Sequence, residues 1–268
     1  MATARIKTDA GIAYIKVLGN KQGPHQLACE LVGTMLARWF GLPTLDFAIM
    51  TIDASVDELK LADGVLAKSG PAFVTRAIPQ QSWGGSNKEL QRLANQEAIS
   101  SLVVFDTWTR NCDRFPPDLA KRKPNFDNVF LEKLPGTKPR QVRLIAMDHS
   151  CCFTCNRDLI ARELRRLDWI RDDRLYGLFP AFRPLIRQTE IRQAVARLHT
   201  VDLRLMKDVV GAIPDEWEVR SDARAALSES LVKRAAFVAE HIEGWVQQQC
   251  WPGQLFDREE YPKGNHES

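Results

Sequence analysis

Long apolar runs are absent from this sequence. No window holds the ~20 consecutive apolar residues that a bilayer-spanning helix needs, and residues 1–7 lack the apolar core of a secretory signal. Charge of one sign is also scarce, because 37 basic and 34 acidic residues leave a net charge of only +3. So small an excess does not indicate nucleic-acid binding by itself. We therefore expect a soluble cytoplasmic protein with neither a membrane nor a nucleic-acid partner.

Cysteine is sparse, at 6 of 268 residues, which excludes a disulfide scaffold and predicts reduced thiols. Cys151, Cys152 and Cys155 follow His149 closely and raise the alternative of a zinc site. Structural zinc usually takes two separated ligand pairs, and the sequence offers no second pair at suitable spacing. We therefore favour ordinary packing of these small apolar side chains.

The first third of the chain has the pattern of a small sheet with one helix. Apolar residues at helical spacing predict that helix over 27–40, ended by Gly41 and Pro43. Segments rich in β-branched residues predict strands over 4–8, 12–17, 47–52 and 71–78. With a boundary near Gly84-Gly85, residues 1–84 form a β-rich amino-terminal lobe (N-lobe).

The remainder of the chain is dominated by helical patterns. Residues 85–250 are expected to form a larger helical lobe (C-lobe), and the polar stretch 251–268 to be a mobile tail. The predicted helices and strands are helix 87–106, strands 128–133 and 142–147, and helices 187–199, 203–212 and 221–245. The predicted class is therefore α+β with two lobes.

Two charged residues of the N-lobe, Lys16 and Glu30, indicate a function only when they are considered as a pair. Lys16 lies within an apolar strand, where a lysine is more often an exposed edge charge than a functional group. Glu30 lies in the helix that follows, within reach of that strand. A strand lysine paired with a helix glutamate is the ion pair that positions ATP phosphates in protein kinases.

Three further residues follow in an informative order. Asp113 comes after the long helix, where an Asp-Arg pair is commonly only a salt-bridged cap. Asn128 precedes one short strand, and Asp148 ends the next. A kinase uses an aspartate as base, then an asparagine and an aspartate as metal ligands, in this order. Mg²⁺ requires hard oxygen ligands, while a separate carboxylate must face the acceptor hydroxyl.

With these five residues in this order, the chain resembles the HipA-like kinase family, and specifically its compact branch. The resemblance covers residues 8 to 245. The segments that carry the resemblance are strand 14–17, loop 19–24, helix 30–36 with 41–43, loop 111–114, Asp148 after its strand, and segment 213–217. The resemblance implies a protein-kinase-like fold and an ATP- and Mg²⁺-dependent phosphotransferase whose acceptor is a Ser or Thr hydroxyl of a protein.

The resemblance also implies roles for individual residues. Lys16 is expected to bind phosphates with Glu30 as its partner, Asp113 to be the catalytic aspartate, and Asn128 and Asp148 to hold Mg²⁺. Adenine is expected to meet backbone groups near Thr75 and Ala77, where strand 72–77 enters the hinge between the lobes.

The chain departs from the family pattern in three places. The gap from Asp113 to Asn128 exceeds the four residues of the usual catalytic loop, and its basic, proline-rich segment 115–124 is predicted to be an exposed, mobile insertion that recognises the acceptor. Asn125 is a rival metal ligand. His149 and Ser150 replace the usual Phe-Gly after the metal-binding aspartate. Only residues 1–4 remain for a phosphate-covering loop, so this loop is rudimentary or the lysine and metals act alone.

Two other functional classes stay open. The lack of a full phosphate-covering loop and the long gap from Asp113 to Asn128 are compatible with a catalytically weak nucleotide-binding module that acts through partner interactions. A purely structural α+β interaction domain ranks last, because chance would rarely supply the five residues in this order.

Overall fold

A computed structural model of the chain describes residues 3–53, 59–61, 64, 66–137 and 140–252. Within them, seven strands form two sheets beside eight α-helices. The mixed composition, with a small antiparallel sheet first and helices after it, confirms the predicted α+β class with a small β-rich part before a larger helical one. The placement of the lobe boundary at residue 84 stays a prediction, and residues 253–268 of the predicted tail lie outside the described residues.

The first sheet has four antiparallel strands in the order β1-β2-β4-β3. They are β1 (Ala4–Thr8), β2 (Gly11–Lys16), β3 (Phe47–Ile52) and β4 (Gly70–Arg76). Their inner faces share a small hydrophobic cluster that includes Ile15, Val17 and Val74. β4 begins one residue before the predicted strand 71–78 and ends two residues before its predicted end, at Arg76.

Helix α1 (His25–Trp39) confirms the predicted first helix and is buried along most of its length. It ends where predicted: the amide of Leu42 donates to the carbonyl of Ala37 at 3.0 Å, and Gly41 takes a φ of +83°. A left-handed glycine with this hydrogen bond is the common helix stop. A side chain at Gly41 would also collide with Arg197. α1 packs in the main hydrophobic cluster with the C-lobe helices.

The predicted long helix over 87–106 is wrong. It is two helices, α2 (Asn87–Leu90) and α3 (Ala98–Thr109). The chain between them leaves the helical path to bond with a second sheet: the amide of Ala94 donates to the carbonyl of Val142, and the Asn95 side chain bonds both the amide and the carbonyl of Leu144. Tertiary hydrogen bonds thus override the local helical pattern.

The second sheet has three antiparallel strands in the order β5-β6-β7. Strands β6 (Phe130–Lys133) and β7 (Val142–Ile145) agree with the two predicted strands, whereas β5 (Gln80–Ser82) was not predicted. The polar sequence of β5 carries no alternating apolar pattern, so its strand conformation depends on pairing with β6.

The remaining helices build the C-lobe. They are α4 (Ala161–Leu164), α5 (Leu167–Ile170), α6 (Gln188–Leu198), α7 (Leu203–Gly211) and α8 (Ser221–Cys250). The last three of them confirm the helices that the sequence predicts over 187–199, 203–212 and 221–245. α8 contacts α3, α4, α6 and α7 and forms the centre of the lobe. Among the described residues, no helix combines the length and apolar character that crossing a membrane requires.

Trp217 connects the C-lobe to the first sheet. It is fully buried in a short 3₁₀ helix (Asp215–Trp217) before α8, and its Nε1 donates to the carbonyl of Pro71 in β4 at 3.0 Å. The C-lobe therefore holds the first sheet directly.

Candidate active site

Lys16, Glu30 and Asp148 meet in one ion cluster between the lobes. The Lys16 Nζ lies 2.7 Å from Glu30 Oε2 and 3.1 Å from Asp148 Oδ1. The three residues come from β2, α1 and the segment after β7, so the fold assembles what the sequence separates by up to 132 positions. The Lys16 side chain is only 11% exposed, so it is a buried, paired cation and not an exposed edge charge.

The charges in this cluster stabilise one another. Burial alone lowers the pKa of Lys16, but the carboxylates of Asp148 and Glu30 more than offset it and raise that pKa above its ordinary value. Burial alone raises the pKa of Asp148, yet the Lys16 ammonium and a hydrogen bond from Ser150 hold it well below its usual range. Burial raises the pKa of Glu30, an effect that Lys16 partly offsets. Lys16 and Asp148 are therefore charged at neutral pH.

The backbone after β7 aims Asp148 at this cluster. Asp148 takes a left-handed φ of +57°, which few residues other than glycine adopt and which ends the extended path of the strand. The backbone of His149 is hydrogen-bonded to Glu30, so α1 also holds this segment. α1 approaches closely here because Gly33 has no side chain: a Cβ at that position would lie 2.4 Å from the Cβ of His149.

His149 itself is buried beneath the cluster and is neutral. Its Nδ1 lies 3.1 Å from the Thr34 hydroxyl, and its ring packs edge-on against Phe105. Burial, with the nearby Arg114 charge, lowers the pKa of His149 to about 3. At this position the chain therefore carries an uncharged aromatic ring in the place where the usual kinase motif has phenylalanine.

Asp113 and the two candidate asparagines form a second cluster. α3 ends with Arg110 in the left-handed region at φ +54°, and the chain then turns into the loop that carries Asp113. Asp113 Oδ2 accepts hydrogen bonds from the side-chain amides of Asn128 at 2.7 Å and Asn125 at 3.2 Å. Arg122 lies 3.5 Å from the other oxygen, Oδ1. The Asp113 side chain is 27% exposed and open to an incoming group.

The two asparagines use their carbonyl oxygens differently. Asn125 Oδ1 accepts from the amide of Asp127 at 3.2 Å and so caps the 3₁₀ helix Phe126–Asn128. Asn128 is buried, and because its Nδ2 donates to Asp113, its Oδ1 points elsewhere and remains for another ligand. This difference supports Asn128 over Asn125 as the metal ligand.

Arg114 joins the two clusters and was missed as a functional residue. Its fully buried guanidinium donates to Asp106 at 2.7 Å, to the carbonyl of Asn128, and to the carbonyl of Met147 at 3.1 Å. It thus bonds to the backbone of one candidate metal ligand and to the residue before the other. The sequence assigns a catalytic role to Asp113 and none to Arg114, whose place between the two clusters follows only from its burial and its three hydrogen bonds.

A cavity of about 230 Å³ adjoins the ion cluster. Lys16, Glu30 and Asp148 form its charged end. The apolar part of the wall consists of Leu45, Phe73, Phe130, Ala146 and Met147. An apolar slot with one charged end is suited to a flat ring system that carries anionic groups.

The two predicted adenine contacts lie differently around this cavity. Thr75 in β4 lines it. Ala77 lies beyond the end of β4, and its amide already donates to the carbonyl of Ile12 at 2.9 Å. The Ala77 amide is therefore committed within the protein, and the Thr75 backbone is likewise paired in the sheet between β2 and β3. Thr75 is the better candidate for contact with a base because it lines the cavity.

The inserted segment 115–124 is less exposed than predicted. Phe115 packs against Phe179 with ring centroids 4.9 Å apart, and Pro116 is buried. Lys121 and Lys123 are exposed, as predicted, whereas Arg122 turns inward to Asp113. The prediction of full exposure is wrong because aromatic packing anchors the start of the segment. Its mobility stays a prediction.

The cysteines raised as a zinc alternative are free thiols. Within the part of the chain that the structure describes, no group of three or more His, Cys, Asp or Glu side chains is placed to hold a metal ion. Cys151 and Cys152 are buried and Cys155 is partly exposed.

Together, the two lobes, the lysine–glutamate pair and the ordered Asp-Asn-Asp residues define a protein with a kinase-like fold and site. The model of the family described as HipA-like kinase matches residues 7–254. This chain therefore belongs to the HipA-like kinase family, and the resemblance inferred from the sequence is confirmed.

Comparison with solved structures agrees with this assignment. The crystal structure of the Helicobacter pylori proinflammatory kinase CtkA matches with a TM-score of 0.55, and the match covers 92% of this chain and 91% of that one. The sequence identity is 11%, so the match establishes a shared kinase fold. No curated protein matches the sequence.

Proposed function

We propose that this protein is an ATP- and Mg²⁺-dependent kinase that phosphorylates a Ser or Thr hydroxyl of a protein acceptor. The observation that carries the proposal is the buried Lys16–Glu30–Asp148 cluster at the charged end of the cavity. A charged lysine held by a glutamate binds nucleotide phosphates in kinases. Thr75 and the apolar wall then face the base.

Asn128 and Asp148 fit a magnesium ion. Both offer hard oxygen donors, and the low pKa of Asp148 keeps its carboxylate ionised at neutral pH. When bound, Mg²⁺ neutralises charge on the phosphates and orients them. Arg114 fixes the backbone beside both ligands, so their separation is set before nucleotide binds.

Asp113 is the proposed catalytic base. Hydrogen bonds from Asn125 and Asn128 fix Oδ2 and orient the carboxylate, which leaves Oδ1 to accept the proton of the acceptor hydroxyl. Arg122 lies beside Oδ1 at 3.5 Å, so a bound acceptor must share that oxygen with the guanidinium or displace it.

The first experiment separates an active kinase from a nucleotide-binding module by two aspartate variants. At a hundred times its Kd, MgATP should stabilise the wild-type fold by about 2.7 kcal/mol, read as a rise in melting temperature. Asp148→Asn should lose this stabilisation and turnover together. Asp113→Asn should retain nucleotide binding and lose about 10²–10⁴-fold in turnover. Asp127→Asn, an exposed carboxylate on the same loop, is the matched control and should change neither.

Three results would change the proposal. A wild-type protein that shows no melting shift at millimolar MgATP is not a nucleotide-binding protein. A wild-type protein that binds MgATP but transfers no phosphoryl group to itself or to protein substrates is the weak binding module. Full turnover in Asp113→Asn would move the base to another carboxylate, of which Asp106 already pairs with Arg114.

The exposed cations of the inserted segment support a protein acceptor. Lys121 and Lys123 are exposed on either side of Arg122 in the sequence, and Arg122 contacts Asp113 itself. Reversing Lys121 and Lys123 to glutamate should weaken phosphorylation of a protein while MgATP affinity is unchanged. Arg122 is kept in this variant because its loss would disturb the base. Equal loss of MgATP affinity would place the segment in the nucleotide site. The cytoplasmic location stays a prediction.

A further inference from the structure

Three thiols lie together beside the two loops of the candidate active site. Cys112, Cys151 and Cys155 pack in one cluster. Cys112 immediately precedes Asp113, whereas the other two lie on the segment that follows Asp148. The cluster therefore spans the loop of the proposed base and the loop of a proposed metal ligand.

The three thiols have different surroundings. Cys151 is buried and donates to Asn156 Oδ1 at 2.8 Å. Cys112 is also buried, and its Sγ accepts a hydrogen bond from Arg122 at 3.1 Å. Cys155 is partly exposed. It is the one thiol of the three that a small reagent reaches from solvent.

Electrostatics favour the same thiol. Hydrogen bonding to Cys112 and the charges of Arg110, Arg122 and Arg157 lower the pKa of Cys155 to about 7 despite the opposing effect of burial. As a neutral thiol, Cys155 donates to the carbonyl of Arg110 at 3.9 Å, and Cys112 donates to the carbonyl of Cys151 at 3.7 Å. The hydrogen bonds that Cys112 makes with Cys151 and Cys155, together with burial, raise the pKa of Cys112. Cys155 thus has the character of an attacking thiolate, and Cys112 that of a protonated neighbour.

The segment around Cys155 has an unusual backbone. Phe153, Cys155 and Asn156 take positive φ values of 66°, 55° and 67°. Left-handed conformations of non-glycine residues are unfavourable, and clusters of them mark segments that are held by their surroundings. The segment lies outside every regular helix and strand, so a new covalent bond at Cys155 can change its backbone conformation without breaking one.

We propose that Cys155 is a peroxide-sensitive modification site and that Cys112 is its resolving thiol. The Cys155 thiolate attacks one oxygen of hydrogen peroxide, which breaks the O–O bond and gives a sulfenic acid and hydroxide. The Cys112 sulfur then attacks the Cys155 sulfur, the S–O bond breaks, and a disulfide and one water form. The two thiols are oxidised by two electrons in total, and the peroxide is reduced to water.

The effect on catalysis rests on the proposed function. A bond from Cys112 to Cys155 would pull the residue next to Asp113 toward the segment after Asp148. Cys112 also accepts a hydrogen bond from Arg122, so the new disulfide would disturb the Arg122 guanidinium beside Asp113 Oδ1. Misplacement of a catalytic group by about 1 Å can cost on the order of 10²-fold in rate. We expect at least a ten-fold loss of phosphotransfer that dithiothreitol reverses.

The experiment detects the Cys112–Cys155 disulfide by mass spectrometry, so its result does not depend on enzymatic activity. The full chain is treated with hydrogen peroxide at pH 7, unreacted thiols are blocked, and the protein is digested with trypsin. Peptide 111–114 contains only Cys112, and peptide 144–157 contains Cys151, Cys152 and Cys155. The expected product is these two peptides joined with the loss of two hydrogens, with fragmentation that places the bond at Cys155.

Matched variants test each role. Cys155→Ser should remove the joined peptide. Cys112→Ser should leave a sulfenic acid at Cys155 that a cyclic 1,3-dione labels. Cys250→Ser, at the last residue of α8 and outside the thiol cluster, should behave as wild type. Alkylation of Cys155 by iodoacetamide should reach half its maximal rate near pH 7.

Specific results overturn the proposal. It is wrong if wild type yields no joined peptide, if fragmentation places the bond at Cys151 or Cys152, or if Cys155→Ser still forms it. An untreated protein without phosphotransfer would contradict the proposed function, while the mass of the joined peptide would still decide the modification site. Equal inactivation of wild type and Cys155→Ser by peroxide would show that another group is the sensitive one.

Discussion

Arg114 shows how a single buried cation can set the geometry of two loops. Its partner Asp106 is fully buried, so loss of the guanidinium leaves a carboxylate without its counter-charge. Breaking a buried pair in this way typically costs about 3–5 kcal/mol. We expect Arg114→Met to lower the unfolding free energy by this amount in urea titration. Arg220→Met, which breaks the exposed pair with Asp222, should change it by no more than about 0.5 kcal/mol.

A double variant tests whether the pair is the cause. Asp106→Asn combined with Arg114→Met removes both charges, so its loss of stability should be smaller than the sum of the two single losses. Strictly additive losses would show that the two side chains act independently, which the 2.7 Å contact between them argues against.

His149 gives the protein an acid-sensitive residue. Its pKa is about 3 in the folded protein and about 6.5 when unfolded, so the unfolded chain binds more protons between these values. Stability contributed by neutral His149 is therefore complete above pH 6.5 and falls as the pH decreases toward 3. We expect a loss of about 2 kcal/mol from pH 7 to pH 5 in the nucleotide-free protein.

The measurement compares urea unfolding at the two pH values. His149→Gln should lose this part of the pH dependence, whereas His199→Gln, on an exposed residue, should keep the wild-type slope. An identical slope in His149→Gln and wild type would contradict the assignment.

The five side chains to which the sequence assigns phosphate, catalytic and metal-binding roles all lie in the two clusters, because their order along the chain carries the family pattern. The sequence did not reveal Arg122 beside Asp113 or the buried role of Arg114. The Arg122 contact depends on how the inserted segment folds back to Asp113, and the Arg114 contacts join segments that are up to 33 positions apart, which no local pattern encodes. Ala77 illustrates the same limit, since its amide is committed by a sheet contact with Ile12.

At the scale of secondary-structure elements, the closeness of α1 to the Asp148 segment is the feature most sensitive to volume. An alanine at Gly33 would place its Cβ 2.4 Å from that of His149, so α1 or the segment must move. Overpacking of this kind costs about 1–3 kcal/mol. We also expect Gly33→Ala to weaken MgATP binding, because the shift separates Glu30 from Lys16.

The control is a glycine with room around it. Gly244 lies within α8, and no atom within 4 Å would meet an added Cβ. Gly244→Ala should therefore stabilise the protein by about 0.5–1 kcal/mol. A Gly33→Ala protein as stable as wild type would show that α1 adjusts without cost.

Elements with their own sequence signals were predicted well, and those that depend on partners were not. The apolar spacing and the Gly41 stop located α1. The split between α2 and α3 escaped prediction because Asn95 leaves the helix to bond Leu144. β5 was missed because its strand conformation depends on pairing with β6.

At the scale of the whole molecule, the main core does not divide at the predicted lobe boundary. α1 packs in one hydrophobic cluster with α3, α7 and α8 of the C-lobe. A fragment of residues 1–84 would expose this apolar face to water, and a domain so small has little other core. We expect the isolated fragment to lack a cooperative thermal transition and dispersed amide resonances. A well-dispersed spectrum would show that the N-lobe folds independently.

The bond from Trp217 to Pro71 has a consequence for how the chain is made. It joins residues 146 positions apart, and the indole is fully buried where it meets β4. A ribosome adds about 5–20 residues per second, so Pro71 waits roughly 7–30 s for its partner. During most of that interval α1 also lacks α7 and α8, so part of its apolar face is open to chaperones. The amino-terminal lobe is thus made first and completed last.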